Sequence, residues 1–346
     1  MQKSSVPTIK DVARHAGVSI ATVSYVLNNK PAAVSEETRR RVLQAVEQLG
    51  YTRNITARNL RSSKTRLLGY AWMETANPRP NAVLEHFAFH LAREASHAGY
   101  HLLTFTFPHD NPLPVYDQLL RTGRVDAFIL ASTVRDDVRV RYLLDQGFPF
   151  VTFGRANPEW DFNWVDTDNH AGTYKATQHL LTLGHERIAI VTWPEDSLTG
   201  NIRLAGYQDA LRDAGIQVNP AYIIRREYGE AVGEVVFEQL GELPPHERPT
   251  AVVTVSDMTA ISVMSEAEHR GLEIGKTLSV IGYDDETLSQ YLRPALTSVR
   301  QPIQAISYET VAILDDTLNQ GPAETRQLLI APELIVREST GRPIDP

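Results

Sequence analysis

The sequence predicts a small all-α head followed by a larger, two-lobed α/β body built on parallel, doubly wound sheets. Three observations carry this. Residues 1–66 hold 12 Lys and Arg against 4 Asp and Glu, in a chain of net charge −8. Between residues 8 and 50, apolar side chains recur at helical spacing in three short runs. From Leu67 onward, strand-like apolar runs alternate with amphipathic stretches, the rhythm of parallel strands covered by helices. With 346 residues, the chain can build two or three separate cores.

Composition excludes several functions at once. There is no cysteine, which rules out disulfides, thiolate metal sites and a cysteine nucleophile. The stretch MQKSSVPTIKDVARHAG has no apolar signal region, and no apolar run is long enough to cross a bilayer. A cytoplasmic protein with no membrane partner is expected. The basic head on an acidic body points to a polyanion as partner of the head alone.

In the head, Thr8 with Asp11 fits a capping box and predicts a helix over about residues 9–15, ended by Gly17. Ser19 caps a second helix over about residues 20–28, with Val23, Val26 and Leu27 facing inward. Ser35 caps a third, residues 36–49, with an apolar stripe of Val42, Leu43, Val46 and Leu49. Two short helices about a glycine-containing turn, closed by a third, make a helix-turn-helix domain. The second helix lacks charge from Gly17 to Asn28, yet Lys10, Arg14, Lys30 and Arg39–Arg41 flank it. That division suits double-stranded DNA: cations bind phosphates, and small neutral side chains approach base edges in the major groove.

Residues 8–69 closely resemble the N-terminal signature of the lactose-repressor (LacI/GalR) family of bacterial transcription regulators. The match runs through Asp11-Val12-Ala13, Gly17-Val18-Ser19, Thr22-Val23-Ser24, Val34-Ser35, Thr38-Arg39 and Leu49-Gly50-Tyr51. By position, the resemblance implies base reading by Ile20, Ala21 and Tyr25. It implies phosphate contacts from Ser19, Thr22, Ser24 and Asn28. No Arg or side-chain amide occupies the three reading positions, so contact with thymine methyls is favoured over bidentate guanine recognition. The basic segment NITARNLRSSKT, residues 54–65, is too sparsely apolar for a stable isolated helix. It resembles the family's hinge helix, in which Leu60 is the minor-groove wedge and Ala57 stands beside it.

The runs LLGYAWM, HLLTFTF, DAFILAS, PFVTFG, RIAIVTW, AVVTVS and LSVIGYD read as strands. Over 250 residues of such alternation exceeds one doubly wound domain, so two lobes are expected. RVDAFILAS, DNHAG, LGHERIAIV, RLAGYQDAL, VIGYDD and PALTSVRQP resemble the same family's effector domain, which has the type I periplasmic-binding-protein fold. The implied divisions are residues 1–53 for the head, 54–66 for the hinge and 67–346 for the body. Its N-lobe would take residues 67–165 and 298–326, and its C-lobe 166–297 and 327–346.

Ligands of such sheets sit beyond the strand C-termini. That rule singles out Trp72, Arg155, Trp164, Arg203, Tyr228, Ser256 and Asp284 as effector contacts, with Arg203, Tyr228, Ser256 and Asp284 matching the family best. Arg203, read as opening a helix, is an odd choice beside the dipole unless it binds something. Asp284 and Asp285 could instead cap a following helix. Aromatic faces with an arginine and a carboxylate suit a polyhydroxylated ring, so a sugar or sugar derivative is the expected effector; a nucleobase would also stack on Trp164 or Tyr228.

No P-loop, serine elbow or dinucleotide fingerprint occurs, and Asp166 and Asp168 are not read as a catalytic pair. His86 and His90 have helical spacing but no third metal ligand. No catalytic residue, metal or cofactor is expected. The chain lacks the C-terminal leucine heptad of a tetrameric family member, so a homodimer is expected.

Overall fold

The computed structural model describes residues 7–27, 34–51, 64–74, 81–227, 231–321 and 324–344, in two compact units divided between Thr65 and Arg66. Asn28, Ala57, Leu60 and Tyr228 lie outside the described residues.

The head consists of α1 (Ile9–Ala16), α2 (Ile20–Leu27) and α3 (Glu36–Leu49). The Asp11 carboxylate accepts from the Thr8 backbone N–H at 3.0 Å and its hydroxyl at 2.6 Å; these bonds hold its pKa below the ordinary value. Gly17, at φ 64°, ends α1 in the left-handed region and so allows the tight turn into α2. Ser19 and Ser35 accept from the N–H groups of Thr22 and Thr38 at 3.1 and 3.3 Å. Val12, Ala13, Ala16, Val23, Val26, Val42 and Ala45 form the core. The expected stripe of α3 is corrected at one position. Leu43 is 47% exposed and Ala45 is buried in its place, because Val42, Ala45, Val46 and Leu49 follow the i, i+3, i+4, i+7 line.

The body has two six-stranded sheets. The first holds β1 (Leu67–Glu74), β2 (His101–Pro108), β3 (Ala127–Leu130), β4 (Phe150–Phe153), β5 (Trp164–Thr167) and β11 (Gln327–Ile330). The second holds β6 (Ile188–Thr192), β7 (Ile223–Arg225), β8 (Ala251–Thr254), β9 (Ser279–Asp284), β10 (Thr297–Arg300) and β12 (Glu333–Ile335). Their orders are β11-β5-β4-β3-β1-β2 and β12-β10-β9-β8-β6-β7; only β12 runs antiparallel to its neighbour.

Each sheet is buried on both faces. On the first, α4 (Ala82–His97) and α11 (Ile303–Gln320) cover one side, and α5 (Leu113–Arg121) and α6 (Val138–Asp145) the other. On the second, α7 (Asn169–Leu183) and α8 (Leu198–Asp213) face α9 (Val232–Gly241) and α10 (Asp257–His269) across the sheet. Alternation along β6 sends Ile188 and Ile190 to one cluster and Ala189 and Val191 to the other. This two-sided burial is why the strands read as continuous apolar runs.

The chain passes between sheets three times, and the crossings differ from the expected lobe limits. β5 extends the first sheet to Thr167, β10 belongs to the second, and β11 returns to the first beside β5. Residues 298–300 therefore leave the N-lobe and residues 327–330 join it. Both are short edge or next-to-edge strands whose sheet is chosen by pairing partners, not by their own pattern.

α7 and α8 pack closely because Gly206 presents no side chain: a β-carbon there would stand 2.2 Å from the His170 carbonyl oxygen. Gly206→Ala is expected to cost about 3 kcal/mol, since backbone must move to relieve it. Urea denaturation of the body checks this; a midpoint within error of the parent would contradict the close crossing.

Candidate functional site: a helix face and an interlobe cleft

On the head, α2 turns Val23 and Val26 inward and leaves Ile20, Ala21 and Tyr25 exposed, with Ile20 at 45% and Tyr25 at 42%. All three lie exposed on an uncharged helix, Ile20 and Ala21 at its start and Tyr25 in its last turn. Thr22 and Ser24 are half-buried on its shoulders, and Ser19 caps its start. Exposed Lys10, Arg14, Arg40 and Arg41 lie on the neighbouring helices. Arg14 is tied to Asp11 at 3.1 Å, whereas α2 itself carries no acid to repel a phosphate.

In the body, the strand C-termini carry a polar network between the sheets. After β4, Arg155 donates from Nε to Asp166 Oδ2 at 3.0 Å, and its guanidinium lies 5.6 Å over the Trp164 ring. Asp166 Oδ1 accepts from Asn169 Nδ2 at 3.2 Å, and Asn169 Oδ1 accepts from Arg203 Nε at 2.8 Å. Arg203 also donates to the Val255 carbonyl and lies against the Tyr283 ring, 3.4 Å from its centroid. Trp193 stands 5.2 Å from the same guanidinium. A second thread runs from the Thr167 hydroxyl to Gln301 Oε1 and from Gln301 Nε2 to Asp284 Oδ1, each at 2.7 Å. Both threads join one lobe to the other.

The backbone at Asp284 is unusual for a residue with a side chain. Asp284 and Asp285 have φ of 114° and 51°, and Asp285 is fastened by Arg300 at 2.7 Å and Arg337 at 2.6 Å. Strain of this kind persists only where surrounding contacts over-determine it. Burial pushes the Asp284 carboxyl up to about 8 against the opposing charge of Arg203. Burial likewise raises Asp166, opposed by Arg155 and Arg203. In this set of two acids and two arginines, burial favours the neutral acids while the guanidinium groups favour the carboxylates.

Of the residues singled out from sequence, Arg155, Trp164, Arg203 and Asp284 meet in this network. Asp284 caps no helix; the following turn begins at Glu286. Arg203 does not open its helix: α8 starts at Leu198, so Arg203 is in its second turn and only 3% exposed. Ser256 differs from expectation. Its hydroxyl accepts from the Thr259 N–H at 3.1 Å and contacts the Thr259 hydroxyl at 2.8 Å, so it is spent as the N-cap of α10. Trp72 packs edge-to-face on Tyr70 at 5.2 Å, outside the network. Asp166, Asn169, Gln301, Thr167 and Trp193 were missed. Their signal was position: four flank the interlobe crossings, and Trp193 follows a strand.

His185, by contrast, is structural: it bonds Thr250 at 2.8 Å, Ser279 at 3.0 Å and the Gly341 carbonyl at 2.9 Å. Among the described residues, no group of three or more His, Asp or Glu is placed to hold a metal, and no helix is long and apolar enough to cross a membrane.

A helix-turn-helix head on a two-lobed α/β body is the architecture of a DNA-binding regulator. Residues 8–54 match the model of bacterial regulatory proteins of the lacI family, and residues 177–340 that of the periplasmic binding protein-like domain. The HTH-type transcriptional repressor CytR of Escherichia coli is 32% identical over 341 residues, 98% of each chain. A transcriptional regulator CelR–cellobiose complex is 29% identical with TM-score 0.72, covering 96% of this chain and 99% of that one. The lac repressor dimer bound to operator and the anti-inducer ONPF is 26% identical with TM-score 0.81, covering 97% and 100%. The chain belongs to the LacI family: it is a DNA-binding transcriptional repressor and not an enzyme.

Proposed function

We propose that the protein is a homodimeric repressor whose operator affinity is set by a sugar or sugar derivative bound between the lobes. The observation that carries this is the pair of hydrogen-bonded threads, Arg155–Asp166–Asn169–Arg203 and Thr167–Gln301–Asp284, which tie one lobe to the other. A ligand that replaces these bonds with its own hydroxyls acts on both lobes at once. Arg155, Trp164, Arg203 and Asp284 contact the effector, and Trp72 and Tyr228 join them by position in the sequence. The cellobiose complex of a relative favours a sugar over a nucleobase. Ile20, Ala21 and Tyr25 read bases, while Ser19, Thr22, Ser24 and Asn28 hold phosphates; Ala57 and Leu60 serve the hinge. Exposed Phe89 and Tyr291, each 66% accessible, suit a subunit interface. Lobe movement transmits a coupling of about 1–3 kcal/mol to the heads. The protein acts in the bacterial cytoplasm.

Thermal-shift screening of the full chain against sugars, sugar phosphates and nucleobases tests this, since a ligand at 100 times its Kd adds about 2.7 kcal/mol. A nucleobase hit with silent sugars would overturn the effector class. A sugar hit should bind more tightly as pH rises towards about 8 and level off above it, because the ionised Asp284 carboxylate accepts its hydroxyls. Asp284→Asn should flatten that profile in calorimetric titrations. For the head, Tyr25→Ala is expected to cost about 1–3 kcal/mol of operator affinity while non-specific binding persists. Competition shifts with operator and random duplex at one salt concentration check it; an unaltered specificity ratio removes Tyr25 from base reading.

A further inference from the structure

Apart from the cleft, the C-lobe contains a cavity of about 430 Å³ at the opposite ends of its strands, where β6, β8 and β9 begin. Its wall is apolar: Phe237, Leu240, Val252, Leu272 and Leu278 line it, and Ile344, 58% exposed, forms a bare lip. Three arginines reach the cavity. Arg270 is neutralised by Glu266 at 2.6 Å and stacks over Phe237 at 5.3 Å. Arg187 and Arg248 are held differently. Arg187 Nε donates to the Arg248 carbonyl at 3.0 Å. Arg248 donates to the Leu243 and Gly241 carbonyls at 3.1 and 2.9 Å, closing the end of α9. Those bonds satisfy carbonyl dipoles but cancel no charge, and neither guanidinium forms an ion pair with a carboxylate among the described residues. Two cations with no ion-paired carboxylate among the described residues therefore stand beside an apolar chamber, in a chain with 42 acidic against 34 basic residues.

We propose that this cavity is a second ligand site, for an amphiphilic monocarboxylate: its alkyl chain fills the apolar chamber and its carboxylate is held by Arg187 and Arg248. The volume lies within the range of small-molecule sites, which combine apolar walls with a few placed polar groups. Guanidinium donors left over from the carbonyl bonds match a carboxylate's two oxygens. The alkyl chain would also cover Ile344, which is 58% exposed. No cleft residue takes part, so binding here is independent of the effector.

Calorimetric titration of the full-length protein with decanoate, and with 1-decanol as the uncharged match, tests the site. Decanoate should bind once per chain and at least tenfold more tightly than decanol. Arg187→Gln, which leaves the Arg248 contacts to α9 in place, should erase that difference. Leu272→Trp, which fills the chamber and keeps both charges, should remove decanoate binding, while Asp284→Asn should leave it unchanged. Equal affinity for decanoate and decanol overturns the proposal, as does full binding by Arg187→Gln or Leu272→Trp. Absence of saturable binding up to millimolar decanoate overturns it as well.

Discussion

Arg203→Ala should lose effector binding by at least a hundredfold and lower the stability of the body by about 3 kcal/mol. The side chain is 3% exposed and joins Asn169, the Val255 carbonyl and the Tyr283 ring. Truncation leaves a carbonyl and an amide oxygen without donors and takes a cation from beside Asp166 and Asp284. The body should then melt about 6–12 °C lower, on the scale expected for a domain of this size. Arg203→Lys separates binding from folding. It keeps the charge but cannot reproduce the planar fork, so stability should largely recover while effector affinity stays at least tenfold reduced. Normal effector affinity in both variants, measured on protein of native circular dichroism, would remove Arg203 from the site. Operator binding without effector should persist, since the head has its own core.

Asp257→Ala is the second large effect. Asp257 is fully buried at the start of α10, where Oδ2 accepts from the Ser289 hydroxyl at 2.5 Å and the Glu286 N–H at 2.7 Å. Oδ1 accepts from the Ser298 hydroxyl at 2.5 Å. One carboxyl therefore pins α10, the turn after β9 and strand β10, close to Asp284. Alanine strands three buried donors and should cost about 3–5 kcal/mol.

The pH dependence of that loss has a defined sign. Burial pushes Asp257 up to about 6, above the unfolded value of about 3.9. The folded state thus holds its proton more tightly than the unfolded one. Its contribution to stability is complete below about pH 4 and is lost as pH rises through about 6, a change of about 3 kcal/mol. The penalty of Asp257→Ala should therefore be larger at pH 4.5 than at pH 8. Urea unfolding at the two values decides it; the reverse order would show that the carboxylate, not the acid, stabilises the fold.

Legibility differed sharply between head and body. In the head, caps and turns are local: Thr8, Gly17, Ser19 and Ser35 act on neighbours three residues away or fewer, so the helices could be read directly. Only Leu43 departs from the expected stripe, its place taken by Ala45 two positions on. In the body, strands buried on both faces announced themselves as apolar runs, even the four-residue β3, β4 and β8. β5, β7, β10, β11 and β12 did not, because polar residues such as Asp166, Arg225, Arg300, Gln327 and Glu333 interrupt them and their sheet depends on distant partners.

The site divided along the same line. Asp284 was visible as a charge at the end of an apolar strand and Arg203 through the resemblance of RLAGYQDAL, and that much the order of residues determined by itself. Ser256 looked equally suitable, yet its hydroxyl closes a helix start instead. Asn169 and Gln301 looked ordinary, yet they bridge the lobes. Sequence alone determined the class of protein, the basic head with its uncharged second helix, and the two-lobed body. Tertiary structure alone decided which polar groups face one another across the cleft, because a hydrogen bond between residues 134 positions apart, as from Thr167 to Gln301, is a product of chain crossings and not of any local pattern.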